Sequence, residues 1–486
     1  MLKPILAGPV EAIAGSAARP PSVRWVLASL SLSMLLSSLG TSIANVGLPT
    51  LALAFDASFR QVQWVVLAYL LAITTLIVSV GRLGDITGRR RLLLAGIALF
   101  TAASVLCGVA PSLGWLIAAR AVQGLGAAVM MALTMAFVGE TVPKAKTGSA
   151  MGLLGTMSAI GTALGPSLGG VLIGGLGWQA IFFVNMPLGV LTFFLARRYL
   201  PVDRKWAKTG AGFDHLGTLL LALTLAAYAL AMTLHQPGGR GSFGLLNLAL
   251  LGVSVFGAGL FLFAETRATS PLIRPAMFRD PALSASLAMS ALVSTVMMAT
   301  LVVGPFYLSQ ALGLAAAWVG LVMSAGPLVA ALVGVPAGRL ADGFGAQRMS
   351  IVGLAGMAGG CAGLFMLPAT LGIAGYVAPM VVITAGYALF QAANNTAVMA
   401  DVRADQRGVI SGLLNLSRNL GLVTGASVMG AVFAFASGAG DITTAPPESV
   451  ASGMRFTFAV AAALVVVALA VAVATFSRRS AAPSVA

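Results

Sequence analysis

GRLGDITGRRR (Gly81–Arg91) and GRLADGFGAQR (Gly338–Arg348) stand 257 positions apart and share one charged, glycine-spaced pattern. In a chain with only 8% charged residues, such a recurrence marks an internal duplication. A second alignment agrees. GSAMGLLGTMSAIGTALGPSLGG from Gly148 matches GVISGLLNLSRNLGLVTGASVMG from Gly408 at an offset of 260, pairing Gly161 with Gly421 and Gly165 with Gly425.

What flanks these turns sets the class of fold. The chain has 486 residues, 59% of them hydrophobic, and a mean hydropathy of +0.98, far more apolar than the surface of a soluble protein of this size allows. A helix needs about 20 apolar residues to cross a bilayer, and fourteen stretches between 25 and 476 meet that length, the first spanning 25–52. Period-2 alternation is absent, which excludes a β-barrel. The first charged turn joins spans 2 and 3 and the second joins spans 10 and 11, while span 5 aligns with span 13. An eight-span offset predicts an all-α polytopic membrane protein of 14 transmembrane helices: two six-helix halves plus two inserted central helices. The expected units are a tail at 1–24, an N-terminal half at 25–200, linkers and insert at 201–282, a C-terminal half at 283–476 and a second tail at 477–486.

Lys and Arg number 28 against 13 Asp and Glu. With the N-terminus inside, 23 of the 28 fall in cytoplasmic segments, so the basic balance reflects topology, places both termini in the cytoplasm and calls for no nucleic-acid partner. Cys107 and Cys361 both lie in apolar runs and suggest neither a disulfide framework nor a metal site.

These motifs, taken in order, resemble the major facilitator superfamily, in its fourteen-helix drug:proton antiporter branch. Gly81–Arg91 resembles the superfamily's loop between helices 2 and 3. Arg120-Ala-Val-Gln123-Gly124-Leu-Gly126 resembles the helix 4 motif. Gly161-xxx-Gly165-Pro166-xx-Gly169-Gly170 resembles the helix 5 motif of antiporters, and WQAIFFVNMPLG from Trp178 resembles the opening of helix 6. The resemblance implies a secondary active transporter of the bacterial inner membrane. It would export small amphiphilic compounds, multidrug-type, by proton antiport with alternating access, with protons and the bilayer as partners and no cofactor. Efflux partners beyond the membrane are not specified by the sequence.

The resemblance also implies roles. Asp85 and Arg89 would latch the two halves on the cytoplasmic side, and Asp342 with Arg348 would form a weaker copy; the plainer reading is a solvated turn placed by charge. Arg120 would serve proton transfer, or else snorkel to the outer interface. Gly161 and Gly165, with Gly169, form a small face that permits close packing, expected between the halves, and Pro166 can bend the helix. Arg418, about 15 Å beyond Gly408 at 1.5 Å per residue, is expected near mid-membrane, as a substrate contact or gating ion pair or in structural hydrogen bonds. Asn45, Gln123, Asn394, Asn415 and Asn419 are further path candidates.

One position departs from the branch. LGTSIANVGLP (Leu39–Pro49) carries Gly40 where an aspartate is usual, and no other acid is expected at mid-membrane: Glu140, Asp214, Glu265 and Asp401 fall at span ends. Uniport, sodium coupling, or export of anions or neutral solutes therefore stay open. A membrane enzyme would need clustered His, Asp or Cys, and the sequence has two separated histidines.

Overall fold

Lipid cannot satisfy backbone N–H and C=O groups, so each apolar run must fold as a helix or join a closed barrel. The computed structural model describes residues 23–142, 147–203, 214–234, 244–268, 275–400, 407–438 and 442–481, and the regular structure among them is entirely helical. Fourteen helical segments are long and apolar enough to cross a membrane. They are α1 (Val23–Val46), α2 (Phe59–Thr87), α3 (Arg89–Gly108), α4 (Leu113–Thr141), α5 (Thr147–Leu176) and α6 (Asn185–Tyr199, preceded by the turn Ala180–Phe183). The inserted pair is α7 (His215–Thr233) and α8 (Leu245–Arg267). The second half holds α9 (Pro281–Phe306), α10 (Ala325–Phe344, preceded by Ala316–Met323), α11 (Ala346–Met366), α12 (Gly372–Ala400), α13 (Arg407–Thr424, continuing to Ala436) and α14 (Pro447–Ala481).

Local chemistry sets several helix ends. Ser58 and Gln61 close a capping box on α2, Ser112 caps α4, and Asp280 caps α9 with Pro281 following. The single first span expected over 25–52 is broken at Gly47, and a separate short helix, Leu48–Ala54, follows with Pro49 in its first turn, because proline has no N–H to give the Asn45 carbonyl four residues back and its ring crowds that carbonyl.

The duplication reappears as packing. A Cβ on Gly161 would strike the Leu35 carbonyl and Ser38 of α1; one on Gly421 would strike the Ala291 carbonyl and Ser294 of α9. Ser42 Oγ donates to the Gly161 carbonyl at 3.3 Å, and Thr295 Oγ1 to the Gly421 carbonyl at 3.1 Å. Gly126 against Gly96 and Phe100 is repeated as Gly386 against Gly353 and Met357. The glycine face of α5 thus packs inside its own half, on α1. This corrects the expected place of Gly161, Gly165 and Gly169 between the halves. Farther along the same helix, Gly170 meets Ala316 and Gly320, Gly174 meets Ala317, and a Cβ on Gly320 would strike the Pro166 carbonyl, so this end of α5 touches the other half.

With fourteen spans among the described residues, the start of α1 and the end of α14 lie on one face of the bilayer, the terminal face. At the opposite, far face the halves are joined. Phe59 of α2 sits edge-on to Phe306 of α9 at 4.8 Å and to Phe433 of α13 at 5.7 Å. Gln63 Nε2 donates to the Ala426 carbonyl, which lies in a π-helical turn of α13 at Gly425–Met429. Toward the terminal face, a Cβ built on Gly81, Gly155, Gly334, Gly338 or Gly412 meets no described atom within 4 Å. The inserted α7 lies along the α2–α13 seam. It bonds to α2 through Trp64 Nε1 to Thr233 Oγ1 (3.1 Å) and Ser79 to Thr218 (2.9 Å), and reaches the Thr424 and Ser427 hydroxyls of α13 through Tyr228.

Candidate functional site: a buried arginine and a polar helix face

Arg120 is fully buried, which removes the snorkelling alternative. Its Nε donates to the Val65 carbonyl of α2 at 2.9 Å, and Nη1 donates to Gln123 Oε1 at 2.5 Å. Gln123 Nε2 passes the chain on to Ser104 Oγ of α3 at 2.6 Å. The guanidinium lies 4.1 Å from the ring centroid of Tyr69 and 6.0 Å from that of Phe182. Nη2 is buried without a hydrogen-bond partner. These described partners are all neutral, an expensive setting for a cation.

Gly40 sits beside this cluster. A Cβ there would lie 3.0 Å from Tyr69 Oη and 3.1 Å from the Phe100 ring. Tyr69 donates its hydroxyl to the Ser37 carbonyl at 2.8 Å, so the phenol occupies the volume into which a helix 1 carboxylate would project. The repeat gives a control: at the 260 offset, Arg120 and Gln123 become Met380 and Ile383, both buried apolar residues. One half fills its core with hydrocarbon where the other holds a cation and an amide.

The polar face of α13 forms a second group. Arg418 is half-buried, Asn419 is 3% exposed, and Ser417 donates to the Leu287 carbonyl of α9. Arg418 lies about 9 Å inside Gly412, where the apolar span begins, and so in the terminal-face half of that span rather than at its centre. The remaining candidates do not join one site. Asn45 is buried and folds back on the Thr41 and Ser42 carbonyls of its own helix, Asn394 donates to the Ser286 carbonyl of α9 at 3.4 Å, and Asn415 lies on α13 beside Arg418.

The two charged turns share their backbone. Gly88 has φ 97° and Gly345 φ 90°, a left-handed conformation that ends one helix and starts the next. In the first copy Asp203 Oδ1 accepts from the Arg90 amide at 2.8 Å and Oδ2 from the Arg91 amide at 3.2 Å, capping α3. The Arg90 guanidinium in turn donates to the Arg197 carbonyl. Arg89 opens α3, and Asp342 and Arg348 are exposed in the second copy. The side chains of Asp85 and Glu140, and Asp401 entirely, lie outside the described residues. Glu265, a span-end acid, is 2% exposed and lies against the Asp214-capped start of α7.

Tyr69 and Asp203 escaped the sequence reading. An aromatic in an apolar run carries no mark, and Asp203 caps a helix more than a hundred residues earlier.

Two halves of six helices, a far-face seal and a charged turn in each half define a transporter of the alternating-access kind. The chain belongs to the Major Facilitator Superfamily, whose family model matches residues 30–426. It is 30% identical to the riboflavin transporter RibZ of Clostridioides difficile over 85% of this chain and 88% of that one. It is 32% identical to the multidrug resistance protein Stp of Mycobacterium tuberculosis (84% and 75%) and 28% identical to the multidrug efflux pump LfrA of Mycolicibacterium smegmatis (86% and 82%). In fold it is similar to an inward-facing bacterial homologue of the human lysosomal transporter Spinster (TM-score 0.67, 16% identity, 92% of this chain and 96% of that one). It is likewise similar to a D-xylose–proton symporter (TM-score 0.67, 15% identity, 93% and 97%).

Proposed function

We propose that this protein is a secondary active exporter of small amphiphilic compounds, driven by proton antiport across the inner membrane, with both termini in the cytoplasm. The observation that supports it most is the far-face seal between the halves, made by aromatic and glycine contacts, which leaves intake of cargo to the terminal face, where glycines of the same helices have free space around them. Relatives that bear efflux and drug-resistance names point the same way. In this reading the charged turn at Asp85 and Arg89 latches the inner side when the far face opens, and Arg120 tunes the N-terminal half without itself carrying the proton, since a guanidinium does not deprotonate in proteins.

The neutral surroundings of Arg120, with Tyr69 filling the place beside Gly40, favour a second reading, uncoupled export. One experiment separates them. Purified protein in liposomes is given cationic, neutral and anionic fluorescent amphiphiles, with or without an imposed pH gradient. Proton antiport gives movement against a concentration gradient only with the pH gradient. Equilibration alone, indifferent to pH, means uniport; movement of no compound in the panel counts against export.

A further inference from the structure

We propose that Arg418 and Asn419 of α13 form the head-group site of the transport path, and that the preferred cargo is an amphiphile with an anionic group such as a sulfonate or carboxylate. This rests on the export reading above and names its substrate class.

The residues 410–420 of α13 alternate leucine or isoleucine with Asn415, Ser417, Arg418 and Asn419. Such a helix buries its apolar stripe and turns its polar stripe away from lipid. The contacts show which way. Ser417 bonds the Leu287 carbonyl, and Gly421 meets Ala291 and Ser294, so this side faces α9. Leu413 and Leu416 pack in one apolar cluster with Leu221 and Leu225 of α7. At about 100° per residue, Arg418 and Asn419 fall about 100° and 200° round the helix from Ser417, and Asn415 lies one turn before Asn419 on the same side. Arg418 and Asn419 therefore lie round the helix between its α9-facing side and its α7-facing side, about two turns from Gly412, where a Cβ meets no described atom within 4 Å.

Two donors there lack acceptors. Arg418 Nε and Asn419 Nδ2 are both buried without a hydrogen-bond partner, and Asn419 is 97% buried. A buried donor left unmatched is costly, and both groups call for the same ligand chemistry, an oxygen acceptor with negative charge. The duplicated half carries no such pair: the 260 offset places Ser158 and Ala159 at these positions, with Ser158 bonded to Ser38 inside its own half at 2.7 Å. The donors are therefore an addition to α13 that packing does not require. Together with Arg120 they make the described interior of the bundle electropositive, which disfavours a lipophilic cation.

The test uses a matched pair of dyes. 8-Anilinonaphthalene-1-sulfonate and N-phenyl-1-naphthylamine share one aromatic skeleton and differ by the sulfonate; rhodamine 6G supplies a lipophilic cation. Binding to purified full-length protein is measured by fluorescence titration, and export from proteoliposomes separately. The wild type is expected to bind the sulfonate at least tenfold more tightly than rhodamine 6G. Arg418→Ser, the residue the other half accepts at this place, should lose at least tenfold in sulfonate affinity while holding N-phenyl-1-naphthylamine within twofold. Arg418→Lys should keep most of the sulfonate preference, which guards against misfolding of the first variant. Equal sulfonate binding by wild type and Arg418→Ser, tighter binding of rhodamine 6G, or no binding of the sulfonate overturns the proposal. Arg418-dependent binding without export would instead count against the export reading and leave the head-group site standing.

Discussion

A guanidinium enclosed by a carbonyl, an amide and two aromatic rings is not a stabilising choice, because hydrocarbon of similar volume usually packs such a site as well or better. The protein states that alternative in its own C-terminal half, with Met380 and Ile383 where Arg120 and Gln123 stand. The double change Arg120→Met/Gln123→Ile is therefore expected to leave the melting temperature in detergent within a few degrees of wild type while transport falls at least tenfold; unimpaired transport would make Arg120 a structural residue. The turn glycines offer a paired comparison. An L-residue at Gly88 or Gly345 meets a backbone cost of about 1–3 kcal/mol, and at Gly88 the new Cβ also comes within 2.5 Å of Asp203 Oδ2. Gly88→Ala should lower stability more than Gly345→Ala, and Asp203→Ala should lose about 1 kcal/mol of cap energy, all read by thermal melts. The sequence exposed Arg120 as a charge in an apolar run. It could not expose its Tyr69 face or the Asp203 cap, since both are made only when distant segments meet.

At the scale of elements, two helices carry equivalent glycine faces and each lies against the first helix of its own half, α5 on α1 and α13 on α9. Backbone-to-backbone contact of this kind leaves no room for a side chain and gives membrane helices their association energy by close packing. Gly165→Leu should sharply lower the yield of folded protein, because its Cβ already strikes Ser42, whereas Gly155→Leu, at an open position of the same helix, should express normally; fluorescence-detected size exclusion of the two distinguishes them. The spacing Gly161, Gly165, Gly169 was legible as a face. Its partner was not, because a helical period says which residues share a side and nothing about which neighbour covers it. The duplication, by contrast, carried over into three dimensions contact by contact: Gly161 on Leu35 and Ser38 is repeated as Gly421 on Ala291 and Ser294, and Gly126 on Gly96 as Gly386 on Gly353.

For the whole molecule, the count of spans and the duplication followed from hydropathy and two alignments, while the state of the seams did not, since one sequence must serve both states with a small free-energy difference between them. On the proposed reading the charged turn acts in the state in which the terminal face closes: Asp85→Asn is expected to insert normally and to transport poorly, and Asp342→Asn to be milder, in the liposome assay. The far-face seal belongs to the opposite state and can be locked. In a background with Cys107 and Cys361 replaced, Phe59→Cys/Phe433→Cys places two thiols where rings now stand 5.7 Å apart between centroids, one on each half. A short bifunctional thiol reagent that bridges them should stop transport, and a reducing agent that cleaves the bridge should restore it. Each single cysteine, treated alike, should keep its activity. Because locking the far face leaves the other face open, a third cysteine at Gly155 should react with a water-soluble maleimide as readily in the bridged protein as in the unbridged one. Gly155 lies where no atom comes within 4 Å of a side-chain position, so loss of its reactivity on bridging, or transport that continues when bridging is complete, would show that the seam does not hinge about this aromatic contact.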